Sequence, residues 1–230
     1  MEPVDLGQSS IRDLNARLHQ VNKDGGDATI EILNPAGQHN IAVGLDAPLT
    51  VNIRGHAGYF AAGMNQQATV TIHGNAGSSV AENMMSGLVR VTGFASACAG
   101  ASGHGGLLVV DGDAGPRCGI SLKGTDIVVG GSVGHMTAFM AQAGRLVVCG
   151  DAGSGLADSL YEAVIYVRGS IAGLGADARE EPMTATDLEQ VAELLDRAGF
   201  DHRPEQFKRV ASAKKLYHWN PSPRNASRVH

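Results

Sequence analysis

Aromatic residues make up only 4% of this chain and charged residues only 18%. Cysteine is scarce too: three in 230 residues, with no CxxC pair. That excludes a disulfide framework and a zinc knuckle. No apolar run approaches the roughly 20 residues of a membrane span. The N-terminal MEPVDLGQSS has neither the basic region nor the apolar stretch of a secretory signal, so a cytoplasmic location is expected. An apolar fraction of 43% is too high for a disordered chain. What abounds is glycine, at 31 of 230 positions, about twice the usual ~7%.

The glycines keep a fixed period. Gly55, Gly74, Gly93, Gly112, Gly131, Gly150 and Gly169 are each 19 residues apart. Three residues after them come Gly58, Gly77, Ser96, Gly115, Gly134, Gly153 and Ala172. Two residues before each timing glycine stand Ile53, Ile72, Val91, Val110, Val129, Val148 and Val167, and four before stand Val51, Val70, Val89, Leu108, Ile127, Leu146 and Ile165. Side chains alternate along a strand, so these two columns share one face. A third apolar column lies two residues after each glycine, from Ala57 to Ile171, and small residues recur seven after, from Ala62 to Ala176. A single such unit cannot bury its inner face; stacked copies can. The expected architecture is an all-β solenoid, a parallel β-helix of about seven 19-residue coils. The unequal sides of a 19-residue coil favour the right-handed form. The timing glycines are expected where the chain turns with positive φ or where no side chain fits.

Three segments follow from this reading. Residues 1–48 hold a helix over 10–22, with the stripe Ile11, Leu14, Leu18 and Val21, and short strand-like runs that lead into the first coil. Residues 49–176 form the β-helix. Residues 177–230 hold a helix capped by Thr186 and Glu189 and stopped at Gly199, a further short helix over 204–217, and a basic tail. The helices are expected to cap the solenoid ends.

Charge is uneven. Residues 49–175 carry 13 charges in 127 positions. Three residues before each timing glycine the column reads Asn52, Thr71, Arg90, Val109, Val128, Val147 and Tyr166. Its last four members form an apolar stripe on the outside of the coil. Either a flanking segment of this chain covers it or a partner subunit does. The partner reading makes Val109, Val128, Val147 and Tyr166, with Met84, Met85 and Met136, a candidate interface.

Catalytic constellations are wanting. His104 and His135 have no ligand-type residues in their columns, so no metal site is expected. Cys98, Cys118 and Cys149 occupy three different columns and read as inert core thiols. Asp113 and Asp151 share a column but lie two coils apart, nearer 10 Å than the ~5 Å of a retaining glycosidase pair. The many GxxG spacings lack the following Lys-Ser/Thr of a phosphate loop. The basic tail, with Lys215, Arg224 and Arg228 among its cations, reads as a solvated or protein-facing segment rather than a nucleic-acid site. No catalytic residue, cofactor ligand or metal ligand is assigned.

The unit seen in VNIRGHAGYFAAG (51–63) resembles the GXGXG β-helix that closes the large subunit of glutamate synthase. The stretches GNAGSSVAENMMSG, GSVGHMTAFMAQAG and IRDLNARLH, with the exit FKRVASAKKLYHWN, look like the stand-alone version of that coil in N-methylglutamate synthase. The resemblance covers nearly the whole chain. It implies a non-catalytic structural subunit of a three-subunit flavoenzyme, between a class II glutamine amidotransferase-like subunit and a glutamate-synthase-like subunit that carries FMN and an iron–sulfur cluster. The implied reaction joins glutamate and methylamine into N-methylglutamate and releases ammonia. Two alternatives stand beside it: a β-helix subunit of a formylmethanofuran dehydrogenase or formyltransferase/hydrolase complex, and a carbohydrate-active β-helix enzyme.

Overall fold

The computed structural model describes residues 2–21 and 28–214; the tail cations Lys215, Arg224 and Arg228 lie outside them. The chain winds as a parallel β-solenoid. One strand per coil gives β3 (Thr50–Arg54), β4 (Thr69–Ile72), β5 (Leu88–Val91), β6 (Leu107–Val110), β7 (Lys123–Val129), β8 (Ala143–Val148) and β9 (Val164–Val167), each hydrogen-bonded to the next in parallel. The register follows the 19-residue period: Ile53 pairs with Ile72, Ile72 with Val91, and so on to Val148 with Val167. Both inner columns are at most 1% exposed. Burial of fourteen Ile, Val and Leu side chains supplies on the order of 20–40 kcal/mol of gross hydrophobic free energy. The second side is a ladder of isolated parallel bridges running Ala57, Ala76, Ala95, Ala114, Val133, Ala152, Ile171.

The third side differs from a strand. Phe60, Ala62 and Met64 have φ of 59°, 53° and 56°, and Met136, Ala138 and Met140 have 56°, 57° and 55°. The left-handed region costs a non-glycine residue roughly 1–2 kcal/mol. Hydrogen bonding between coils offsets that cost: Phe60 N–H donates up to Ser78, Ala62 N–H down to Ile41, and Met64 N–H up to Glu82. Six of the seven small residues that stand seven after a timing glycine, Ala62 to Ala157, are the buried members of this series, while Ala176 is exposed.

Most timing glycines are therefore not the positive-φ residues; of the seven, only Gly55 is. They are glycines for lack of room. A Cβ on Gly74 would stand 2.8 Å from the Gly55 carbonyl carbon, and one on Gly150 would stand 2.6 Å from that of Gly131. The GHGG run is explained the same way, since a Cβ on Gly105 would lie 2.6 Å from the Met85 carbonyl oxygen.

The solenoid sheet starts before residue 49. β1 (Val4–Asp5) and β2 (Thr29–Leu33) extend it in parallel, and Ile32 pairs with Ile53. Between them α1 (Ile11–Val21) is capped by Ser10, whose Oγ accepts from Asp13 N–H and donates to the Asp13 carboxylate. Leu14 and Leu18 bury fully against the first coil.

At the other end the chain leaves the solenoid through β10 (Ala178–Glu181) and α2 (Ala185–Ala198). The α2 N-cap is Thr184 rather than Thr186. Thr184 and Asp187 form the reciprocal capping box, while Gly199 closes the helix at φ 74°. Asp replaces Glu at the N3 position of the box, and the same carboxylate also accepts from Tyr166 on β9. Of the helix expected over 204–217, residues 215–217 lie outside the described residues and the rest is not helical as expected; a 3-10 turn at Pro204–Gln206 is followed by β11 (Lys208–Ser212). Phe207 and Arg209 face α2 while Val210 faces the solenoid core, an alternation that meets a better partner than a helix offers, namely the open edge of β9. β11 pairs antiparallel with β9 on one side and β10 on the other, which closes the last parallel edge.

Candidate partner interface

The outer stripe is covered by this same chain. Val109, Val128, Val147 and Tyr166 are fully buried beneath Val191, Leu194, Leu195 and Ala198 of α2 and Phe207 after it. α2 runs across the strands. Its N-terminal Asp187 meets Tyr166 on β9, and its last carbonyl, on Ala198, accepts from Arg90 Nη1 on β5 at 3.0 Å. Fourteen helical residues span about 21 Å, and five strands at ~4.8 Å spacing cover about 19 Å. The lengths match, and the column turns from Val to Arg90, Thr71 and Asn52 where the helix stops. The expectation of a partner interface on Val109, Val128, Val147 and Tyr166 is thereby corrected: a partner cannot reach them. Met84 is corrected likewise, being fully buried with its methyl against Gly106. Met136 is half-buried with its sulfur against Gly155. Met85 alone of the proposed set is exposed.

A polar clamp fastens each end of the strap. At the N-terminal end the Asp187 carboxylate accepts from Tyr166 Oη at 2.7 Å, Arg209 Nε at 3.1 Å, Thr184 N–H and Thr184 Oγ1. Burial works against its charged form, but the hydrogen bonds from Thr184 and Tyr166 and the Arg209 charge outweigh it and hold the carboxyl below the usual range. Arg209 also pairs with Glu181 of β10. Burial and the hydrogen bond to Asp187 push the Tyr166 phenol up. At the other end Arg90 pairs with Asp111 at 2.8 Å, and midway Arg145 grips Asp126 in a two-point contact.

The candidate chemistry is consumed by structure. Burial pushes the Cys118 thiol up to about 12 and the Cys149 thiol up to about 11, which leaves almost no thiolate at neutral pH. Asp113 and Asp151 are rungs of a ladder on the residue after each timing glycine. In this column a side chain accepts the backbone N–H of the same position one coil on: His56 Nδ1 from Asn75, Asn75 Oδ1 from Phe94, Asp113 Oδ1 from Ser132, Ser132 Oγ from Asp151, Asp151 Oδ1 from Ser170. Each such bond contributes about 0.5–1.5 kcal/mol. Among the described residues no three His, Cys, Asp or Glu side chains are grouped to hold a metal ion, and no helix is long and apolar enough to cross a membrane.

The coil also exposes apolar side chains: among the described residues, Tyr59, Phe60, Met64, Met85, Phe94, Met140 and Leu174 are the large hydrophobic ones at the surface. None of the seven belongs to the layer that α2 covers. Five of them fall in the first three coils. Tyr59 is stacked on His39 with ring centroids 4.4 Å apart.

No family model matches the chain. It is 53% identical over 221 residues to Protein GlxC of Rhizobium meliloti (strain 1021), a match that covers 96% of this chain and 97% of that protein. The chain belongs to the GlxC family. The match runs nearly end to end, so it takes in the α2 segment as well as the coil. In this GlxC-family chain the exposed apolar residues other than Met85 escape a reading based on inner columns. For Met64, Met140 and Phe94 a signal was nonetheless present, since each interrupts an outward column of polar residues. Met64 and Met140 share a column with Asn83, Ser102, Ser121 and Ser159, and Phe94 shares one with His56, Asn75, Asp113, Ser132, Asp151 and Ser170.

Proposed function

We propose that this chain is a non-catalytic assembly subunit of a glutamate-synthase-like flavoenzyme complex, of the N-methylglutamate synthase type, and that it holds an amidotransferase-like subunit and an FMN and iron–sulfur subunit at fixed separation. The observation that carries the reading is the contrast between the two kinds of outer surface. The apolar stripe on the strand side is sealed by the chain's own helix, while Tyr59, Phe60, Met64, Met85, Phe94, Met140 and Leu174 stay uncovered outside that layer. Aromatic and methionine side chains of this kind are enriched where subunits meet. Stiffness serves the same role. Every coil is hydrogen-bonded to its neighbours along all three sides, so partners gripped at different heights keep their distance and orientation. The thiols and carboxylates named above are engaged in packing or in ladders, which supports leaving the chemistry to the partners. FMN and the cluster are assigned to a partner and not to this chain.

Co-expression tests the reading. The amidotransferase-like and flavin-carrying subunits are produced with and without this chain and separated by size. A ternary complex that forms only when the chain is present is the expected result. Association of the two catalytic subunits without it, or turnover by this chain by itself, overturns the proposal.

A further inference from the structure

One corner of the solenoid departs from its own repeat. Register is unbroken along the parallel ladder from β2 to β7 and from β8 to β9, but it shifts between β7 and β8. Lys123 stands opposite Ala143 instead of its repeat mate Gln142, while Asp126 stands opposite Arg145. β7 therefore carries one residue more than the strand it faces. The bulge is held in place. Lys123 N–H and Thr125 N–H both donate to the Gly103 carbonyl, at 2.8 and 3.3 Å, and the buried Thr125 hydroxyl donates to the Gly105 carbonyl at 2.9 Å. Bulges re-aim side chains and are over-represented next to active sites. Here the bulge borders a cleft of about 430 Å³, lined by Lys123, Gln142, Ala143, Tyr161 and Glu162, a volume within the range of small-molecule sites. Lys123, Gln142 and Tyr161 occupy one column on three successive coils, and the next column reads Gly124, Ala143, Glu162. The two short members of that second column leave the space open.

The lining carries both signs of charge. Lys123 and Glu162 stand two coils apart, roughly 10 Å along the axis, with Ala143 on the coil between them and Tyr161 beside Glu162. Tyr161 and Ala143 are half-buried and give the cleft its apolar wall. Among the described residues none pairs with the Lys123 ammonium. A plain anion in the cleft would meet Glu162, and a plain cation would meet Lys123. A ligand that carries both charges leaves neither lining charge against a like charge. We infer that this cleft binds a small zwitterion of the α-amino-acid class with an apolar side chain. Lys123 takes its carboxylate and Glu162 takes its ammonium, both through charge-assisted hydrogen bonds. The Gln142 amide donates to the same carboxylate, and the ligand's side chain lies between the Tyr161 ring and the Ala143 methyl. This site does not depend on the assembly role proposed above.

Titration calorimetry on the full-length chain tests it with three probes of one shape: L-leucine, which has both charges, L-leucinamide, which keeps only the ammonium, and isocaproate, which keeps only the carboxylate. Saturable binding of L-leucine is expected, with each single-charge probe weaker by about tenfold or more. Lys123→Gln should weaken L-leucine by about tenfold and abolish its advantage over L-leucinamide. Glu162→Gln should abolish its advantage over isocaproate. Both side chains are exposed, so both variants should keep the wild-type circular dichroism spectrum. The absence of saturable heat with L-leucine up to about 10 mM overturns the site. So does a single-charge probe that binds wild type as tightly as L-leucine, or L-leucine binding that Lys123→Gln leaves unchanged.

Discussion

The Tyr166 hydroxyl on the last parallel strand donates to the Asp187 carboxylate at the start of α2, 2.7 Å away, and both groups are buried. This contact fixes where the strap begins, and the 3.0 Å bond from Arg90 to the Ala198 carbonyl fixes where it ends. Between them the helix lies over Val109, Val128 and Val147.

A charge in that layer should be severe. Val128→Glu places an unpaired carboxylate between the sheet and α2, and the expected loss is about 3–5 kcal/mol of stability. Urea unfolding followed by circular dichroism measures it. Met85→Glu, at an exposed site, should stay within about 0.5 kcal/mol of wild type. Equal midpoints for the two variants contradict the covered stripe.

The clamp makes a pH prediction. The Asp187 pKa is lowered in the folded protein, against about 3.9 in an unfolded chain. Its stabilising contribution is therefore complete above the unfolded value, and is lost progressively as pH falls below it and through the lower folded value. Asp187→Asn should cost roughly 1–3 kcal/mol at neutral pH and remove that part of the acid sensitivity. Urea midpoints at neutral pH and near pH 3 for both proteins check it; a variant that loses as much on acidification as wild type contradicts the clamp.

The account of the timing glycines predicts an asymmetry between two glycines outside the positive-φ set. At Gly150 a new Cβ meets the Gly131 backbone at 2.6 Å, and Gly150→Ala should cost on the order of 1–3 kcal/mol. At Gly173 the nearest atoms stand 4.0 Å away, and Gly173→Ala should be neutral or stabilising by up to about 1 kcal/mol. Thermal melts of the two variants decide the point.

Much of this was legible in the sequence, and the reason is periodicity. Once Val51 to Ile165 and Ile53 to Val167 are seen to recur every 19 residues, parallel pairing in register is the one arrangement that buries both columns. The cap Gly199 and the amphipathic stripe of α1 were legible for the same local reasons. The failures were matters of tertiary context. The apolar run Val109, Val128, Val147 and Tyr166 announces that something covers it and says nothing of what; only the length of α2, set against the spacing of five strands, identifies the cover. Residues 208–212 became a strand because β9 offered an open edge, a fact absent from their own sequence. Met84 and Met85 are neighbours in the chain, yet one lies in the core and the other in solvent. Phe94 was legible in principle, but only in a column whose hydrogen-bonding role the structure reveals.

The most direct measurement of the central claim is the native mass of the complex purified from the organism through a tag on this chain. The account predicts one assembly holding this chain, a flavin-bearing subunit and an amidotransferase-like subunit, with no turnover when this chain is assayed alone. Recovery of the chain as a free species without either companion, or catalysis by the isolated polypeptide, would contradict it.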